Sequence, residues 1–235
     1  FAVDPNNPHN KIIADLDKAP RNVQGKVEFS ADLFILRPKD ASRGNGVAFF
    51  DVVNRGRMGL LGVFDRAKGS TDPMSEAEFG DGLLMREGYT LVAVGWEFEV
   101  RKDRDKNLVG LTAPIATENG KPITGWISPW FIPDKASDSY DYTSGYNTSV
   151  YPPLDPKNPD YRLTVREGWV AMQHLIPRGD WQFGRMENGQ VSFDPNWITV
   201  KGGFKAGMTY QLTYESKNPR VAGLGFAAIR DLASA

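Results

Sequence analysis

The 235-residue chain has no cysteine. That removes disulfides, thiolate metal sites and cysteine nucleophiles together. Histidine is scarce too: His9 and His174 are the only two. Two histidines and no cysteine fall short of a structural zinc site. His174 sits in WVAMQHLIP, among apolar neighbours, and reads as a core or surface histidine. There is no charge excess. Lys and Arg number 28 against 29 Asp and Glu, so no basic footprint for nucleic acid or an anionic membrane exists. No run of about 18 apolar residues occurs, so no segment reads as a membrane-spanning helix. No G-x-S-x-G motif and no internal repeat occur either. The serines of YTSGYNTSVY lie in a loop, without the strand–turn–helix setting that exposes a nucleophile.

What is present is ordinary globular material. Hydrophobic residues make up 40% and charged residues 24%, which suits one large domain or two small ones. Aromatic residues are plentiful, enough for a core or an aromatic-lined cleft. With 24 Gly and 16 Pro, many turns and an appreciable strand content follow. The chain opens on Phe1 rather than Met, which reads as a processed, trimmed or partial chain.

Residues 1–24 are rich in Pro, Asn and Asp and read as an extended arm. Asp4 and Asp15 there are explained by turn chemistry. Val27, Phe29, Ala31, Leu33 and Ile35 alternate with polar residues, the pattern of a half-buried strand ended by Pro38. Residues 47–54 (VAFFDVVN) are nearly all apolar, as for a strand covered on both faces. Asp51 is its one interruption. The turn Asn54-Arg55-Gly56-Arg57 follows. Residues 81–87 (DGLLMRE) form a short helical piece stopped by Gly88, and residues 89–96 (YTLVAVGW) a second central strand. Strand, glycine turn, helix, strand is a βαβ unit and implies a parallel pair.

Residues 101–135 are less regular, and residues 136–160 read as a long surface loop. Residues 161–214 read as strands. Asn188-Gly189 between WQFGRM and QVSF signals a hairpin. The final helix is expected to start with Asn218 as N-cap and Pro219 as first helical residue. Gly223 and Gly225 lie inside it, which suits a helix approached closely by other backbone.

Several motifs do not carry chemistry. Gly223-Leu224-Gly225-Phe226-Ala227-Ala228 matches G-x-G-x-x-A, but it falls inside the helix and lacks the later acidic residue. Asp103-Arg104-Asp105-Lys106-Asn107 opens like a calcium loop, but Leu108 replaces the turn glycine and Pro114 stands at the twelfth position. Asn147-Thr148-Ser149 is a glycosylation sequon in form only. Asp51, Glu97 and Glu99 can be paired on paper for glycoside chemistry, but spacing selects no pair. The turn at 54–57 is the strongest functional feature. Ligands of α/β sheets sit at the carboxyl ends of strands. Backbone N–H groups in a glycine turn can point at a developing oxyanion. Gly56 and Arg57 are the oxyanion-hole candidates, with Asn54, Arg55 and Trp96 lining a pocket beside them. A tight turn with solubilising arginines explains the same residues.

The segments FAVDPNNPHN, GKVEFSADLFILRP, FFDVVNRG, GDGLLMREGYTLVAVGWEFEV and FKAGMTYQLTYESKNPRVAGLGFAAIRD together resemble the N-terminal half of large bacterial α/β-hydrolase-domain proteins. These are poorly characterised, often exported serine esterases. The resemblance covers nearly the whole chain and is most specific in VVNRG, GYTLVAVGW and RVAGLGFAAIRD. It implies the first part of an α/β-hydrolase sheet over 1–100, a β-rich insertion over 101–208, and a strand and helix over 209–235 that precede a nucleophile strand. It implies a serine ester-hydrolase-like function, inactive in this chain alone because no nucleophile, acid or base can be assigned. The implied partners are a small-molecule or carbohydrate ester and the C-terminal half of the protein or a second subunit. The implied compartment is periplasmic or secreted, and no cofactor or metal is assigned. Two alternatives stay open. One is a β-rich carbohydrate-binding module using Trp126, Trp130, Tyr140, Tyr142, Tyr146, Trp169 and Trp181. The other is a non-catalytic structural partner.

Overall fold

The computed structural model describes residues 1–69, 72–102, 107–143 and 151–234. They form two compact units, Phe1–Ala116 with Arg220–Ala235, and Thr117–Pro219.

The first unit holds β1 (Ala2–Val3), β2 (Val27–Glu28), β3 (Ser30–Ala31), β4 (Leu33–Leu36), β5 (Ala48–Val52), β6 (Thr90–Val94) and β7 (Leu111–Thr112). Its helices are α1 (Leu60–Phe64), α2 (Glu76–Phe79), α3 (Leu83–Arg86) and α4 (Leu224–Ala233). The main sheet has the order β4-β6-β5. β4 runs antiparallel to β6. β5 and β6 pair in parallel, from Ala48 opposite Thr90 to Val52 opposite Val94, with α1, α2 and α3 in the crossover. β6 is the central strand and is buried from Leu91 to Val94.

Two strand expectations change. The strand at 47–54 is an edge strand, with Val47 and Val52 half exposed, because only β6 pairs with it. The strand from Val27 to Ile35 breaks into three pieces. Val27 and Phe29 are buried, but Leu33 and Ile35 are exposed while Phe34 packs inside against Ala93 and Val53. Asp32 marks the break. Its N–H donates to the Gly110 carbonyl at 3.0 Å and its own carbonyl accepts from Gly95 N–H at 2.9 Å. Its carboxylate accepts from Gly110 N–H at 2.7 Å. Bonds to two segments at one residue shift the alternation by one.

Asp51 also has a structural reason. Its carboxylate accepts the N–H groups of Gly59 at 2.8 Å and Leu60 at 3.3 Å, capping α1 from the preceding strand. α4 begins at Leu224 rather than Pro219. Asn218 has a left-handed φ of 61°. Val221 N–H is spent on the Pro114 carbonyl, and Arg220 bridges to Ile115. These pairings hold residues 220–221 extended and override the local capping signal.

The second unit holds β8 (Thr117–Glu118), β9 (Lys121–Pro122), β10 (Thr124–Ile127), β11 (Trp130–Phe131), β12 (Ser137–Asp141), β13 (Arg162–Glu167), β14 (His174–Ile176), β15 (Trp181–Phe183), β16 (Arg185–Glu187), β17 (Gln190–Ser192), β18 (Trp197–Phe204) and β19 (Met208–Lys217). A five-stranded sheet has the order β10-β19-β13-β14, with β11 also on β19. A three-stranded sheet has the order β12-β18-β15. The inward residues of both share one aromatic core, with Phe131, Leu163, Tyr210, Leu212 and Tyr214 from the first, Tyr161 just before β13, and Phe183, Ile198 and Phe204 from the second. Glu187 faces Gln190 across Asn188-Gly189. Both turn residues have positive φ, the two-residue hairpin that Asn-Gly favours.

The expected α/β-hydrolase sheet is therefore corrected. Among the described residues, nineteen strands accompany only four α-helices, and the strands divide into seven sheets of two to five strands. The fold is β-rich with small sheets. The βαβ unit at β5 and β6 is present, but it is not continued by further parallel strands among the described residues. From Thr117 onward the chain keeps to antiparallel pairing, which needs no crossover helices. β19, grouped from sequence with the last helix, belongs to the second unit.

The close approach expected of α4 is present. A Cβ on Gly225 would lie 2.0 Å from the Trp96 carbonyl oxygen. Gly225→Ala should lower unfolding free energy by about 1–3 kcal/mol as overpacking, despite the gain of about 1 kcal/mol that Ala brings to a helix. Gly69→Ala, with open space around it, should stay within about 0.5 kcal/mol of the parent. Urea denaturation of both variants is the measurement, and equal midpoints would contradict this packing.

The aromatic core gives a second expectation. Tyr214 OH donates to the Tyr151 carbonyl at 2.8 Å, and burial pushes its pKa up to about 12. Burial, then the neighbouring Tyr214, raises Tyr142 well above the usual phenol. A raised folded pKa favours the protonated fold. The contribution is fully present below the unfolded value of about 10 and is lost as pH climbs through the folded value. Stability should therefore fall between about pH 10 and 12, by up to about 3 kcal/mol for Tyr214. Denaturant titrations across that range should show a shallower fall in Tyr214→Phe.

Candidate functional site

The five sequence-predicted site residues lie in the first unit, at the carboxyl end of the parallel pair β5–β6. Val53, just past β5, is buried, and the chain then reverses at once. Arg57 N–H donates to the Asn54 carbonyl at 3.1 Å. Arg55 and Gly56 both have left-handed backbone, at φ 53° and 76°. Only glycine fits the second position. A Cβ there would lie 2.7 Å from the Val109 carbonyl oxygen and 2.8 Å from Val100 Cγ1. Val109 N–H donates to the Gly56 carbonyl at 3.0 Å, so the turn is fastened from beneath.

The segment after β6 fastens it from the side. Trp96 Nε1–H donates to the Val53 carbonyl at 2.6 Å. The carboxylate of Glu97 accepts the backbone N–H of Arg55 at 2.5 Å. The Arg55 guanidinium donates to Glu99 at 2.7 Å. This last ion pair is partly exposed and adds little by itself. Trp96 in turn meets Phe226 of α4, ring centroids 5.5 Å apart.

Asn54, Arg55, Gly56, Arg57 and Trp96 are thus brought together. Their roles are uneven. Gly56 is buried and Arg57 N–H closes the turn. The N–H that meets a negatively charged oxygen belongs to Arg55. Glu97 and Glu99 were not assigned to the turn from sequence. Their signal was present, since residues just past one parallel strand lie beside those just past its partner, and an arginine followed β5.

The other candidates sort as follows. Tyr142 and Trp181 are buried at 1% and 3% exposure, and Tyr140 stacks on Phe131 inside the core. These three are core residues. Trp126 and Trp169 are exposed at 56% and 51%, and Trp130 is half-buried. Tyr146, the sequon at 147–149 and residues 103–106 of the calcium-loop-like stretch lie outside the described residues. His9 and His174 are both exposed. Among the described residues no cluster of three or more His, Asp or Glu side chains could hold a metal ion. No helix among the described residues is long and apolar enough to cross a membrane.

No protein-family model, curated protein or solved structure matches this chain.

Glu97→Ala leaves the Arg55 N–H without its acceptor. A hydrogen bond to a charged group contributes about 1.5–3 kcal/mol when well shielded. Glu97 is half exposed, so a loss near 1 kcal/mol is expected. Hydrogen exchange at the Arg55 amide should accelerate more than at Val109, and equal acceleration at both would contradict this anchoring.

Proposed function

We propose that this chain supplies the carbonyl-binding part of a serine ester-hydrolase-like protein. The observation that carries the reading is the Glu97 carboxylate on the Arg55 N–H. Attack on an ester carbonyl carbon moves the π electron pair onto oxygen. That oxygen then needs fixed hydrogen-bond donors. A turn whose backbone already holds a carboxylate oxygen offers one donor of this kind, the Arg55 N–H. Its place after a strand paired in parallel is where α/β units bind ligands.

On this reading Glu97 occupies the position of the substrate oxygen. It must withdraw before an ester carbonyl enters. Trp96 supports the turn from below through Val53. The substrate is a small-molecule or carbohydrate ester. The sequence contains no nucleophile elbow, so the attacking serine comes from a partner segment or subunit, and the protein carries out the reaction without a cofactor.

The test has two arms. A phosphonate monoester, which carries the tetrahedral anionic oxygens of the addition step, is titrated into the parent and into Glu97→Ala. Amide resonances of residues 55–57 should shift in the variant at lower concentration than in the parent. In parallel, a fluorophosphonate probe should label no serine of this chain. Silent amides in both proteins would overturn the carbonyl-binding reading. A labelled serine would overturn the assignment of the nucleophile to another segment.

A further inference from the structure

We infer that the outward face of the five-stranded sheet in the second unit is a binding site for an extended neutral glycan. The inference does not rest on the ester reading, since every residue it uses lies in Thr117–Pro219.

The face follows from register. Trp126 stands opposite Glu215, and Trp130 opposite Gln211. Both pairs belong to one uninterrupted count, so Ser128 falls opposite Thr213. Their hydroxyl oxygens are 2.7 Å apart. Residues paired this way share a face. On β19 the other face is the core, carrying Tyr210, Leu212 and Tyr214. Trp126, Ser128 and Trp130 therefore form a row on the opposite face, with the exposed Trp126 ring reaching the edge of core Tyr161, centroids 5.7 Å apart. Trp126 and Trp130 are four residues apart, about 13 Å at the usual rise of a strand.

The ends of the row are aromatic and its middle is carried by hydroxyls and amides, with one charge of each sign beside it, Arg162 opposite Thr213 and Glu215 opposite Trp126. Trp169 meets Trp130 edge to face at 4.4 Å, and the Arg166 guanidinium lies 5.2 Å from the Trp169 ring centre. Between the tryptophans, Gln211 Nε2 donates to Ser128 Oγ at 3.0 Å, and Gln173 Nε2 donates to Gln211 Oε1 at 2.9 Å. This chain of hydroxyls and amides is exposed, and each member retains further donor or acceptor capacity.

The chemistry selects the occupant. A sugar ring offers an apolar C–H face and a rim of hydroxyls. The first suits an indole and the second suits hydroxyls and amides. Trp supplies large rigid contact area at low entropic cost. A lipid or apolar protein surface would leave the remaining donors and acceptors of Ser128, Thr213, Gln211 and Gln173 without water or partner, at a desolvation cost. A peptide adding as a strand would need a sheet edge, and the tryptophan row lies on a face. The two aromatic ends call for a chain of several sugars.

The test is isothermal titration and affinity electrophoresis of the whole chain with cellohexaose, xylohexaose, laminarihexaose and maltohexaose. At least one should bind. Trp126→Ala should weaken it at least tenfold and shorten the preferred oligomer, and Trp169→Ala should weaken it comparably. Both side chains are exposed, so far-UV circular dichroism should be unchanged. Gln211→Ala, which keeps the tryptophans, should cost several-fold. Failure of all four sugars to bind would overturn the inference. So would binding that survives both tryptophan replacements, or a self-associated protein that Trp126→Ala turns monomeric.

Discussion

Helix α4 lies so close to the main chain at Trp96 that position 225 admits only glycine. The rest of the candidate site depends on that approach. With no side chain between them, the helix sets the path of residues 96–99 as they leave the central strand. That path puts the Trp96 indole under Val53 and the Glu97 carboxylate against the Arg55 N–H. Phe226, one residue along the helix, closes on the other side of the same indole. A helix far away in sequence thus helps to shape a turn near residue 55. No single member is strong. The Arg55–Glu99 pair is partly solvated, and the hydrogen bonds are ordinary in kind. Their effect comes from converging on a turn with two successive left-handed residues, a backbone that costs energy unless its surroundings hold it.

The parts of the fold legible in the sequence are those that local chemistry decides. Asn188-Gly189 specified its hairpin because both residues tolerate positive φ. Gly225 signalled a close approach because a helix interior otherwise disfavours glycine. The βαβ unit was visible in its apolar runs. What was not legible depended on partners distant in sequence. The alternation from Val27 to Ile35 looked continuous, but Asp32 is shared between Gly95 and Gly110, and the phase changes there. The apolar run at 47–54 looked like a central strand, yet composition does not reveal how many neighbours a strand will find. Asn218 and Pro219 carried a sound capping signal that lost to pairing with Ile115 and Pro114.

The candidate site shows the same division. All five residues named at the turn do meet there, because a glycine turn and the end of its parallel partner must be adjacent. Which N–H would face an anion was not readable, since that depends on the Glu97 carboxylate crossing from the next strand. The aromatic residues divide by burial. Composition presented seven candidates as equals, but Tyr142 and Trp181 lie in the core and Trp126 and Trp169 are exposed.

Parity matters most on β19, and Pro129 bears on it. β10 and β11 pair with β19 in one register, and Pro129 lies between them. On its inward side the Pro129 carbonyl still accepts from Leu212 N–H at 2.9 Å, so the ladder continues past it. β10 is an edge strand of that sheet, and because the N–H and C=O of a strand residue face the same neighbour, the donor that proline lacks would have faced Leu212. The ladder loses one bond at Pro129, and the two indoles stay in phase across it. A one-residue slip of β10 and β11 would turn both tryptophans inward and bring Ile127 and Phe131, now packed with the core, into water. The aromatic core on one face therefore holds the register that sets the tryptophan row on the other.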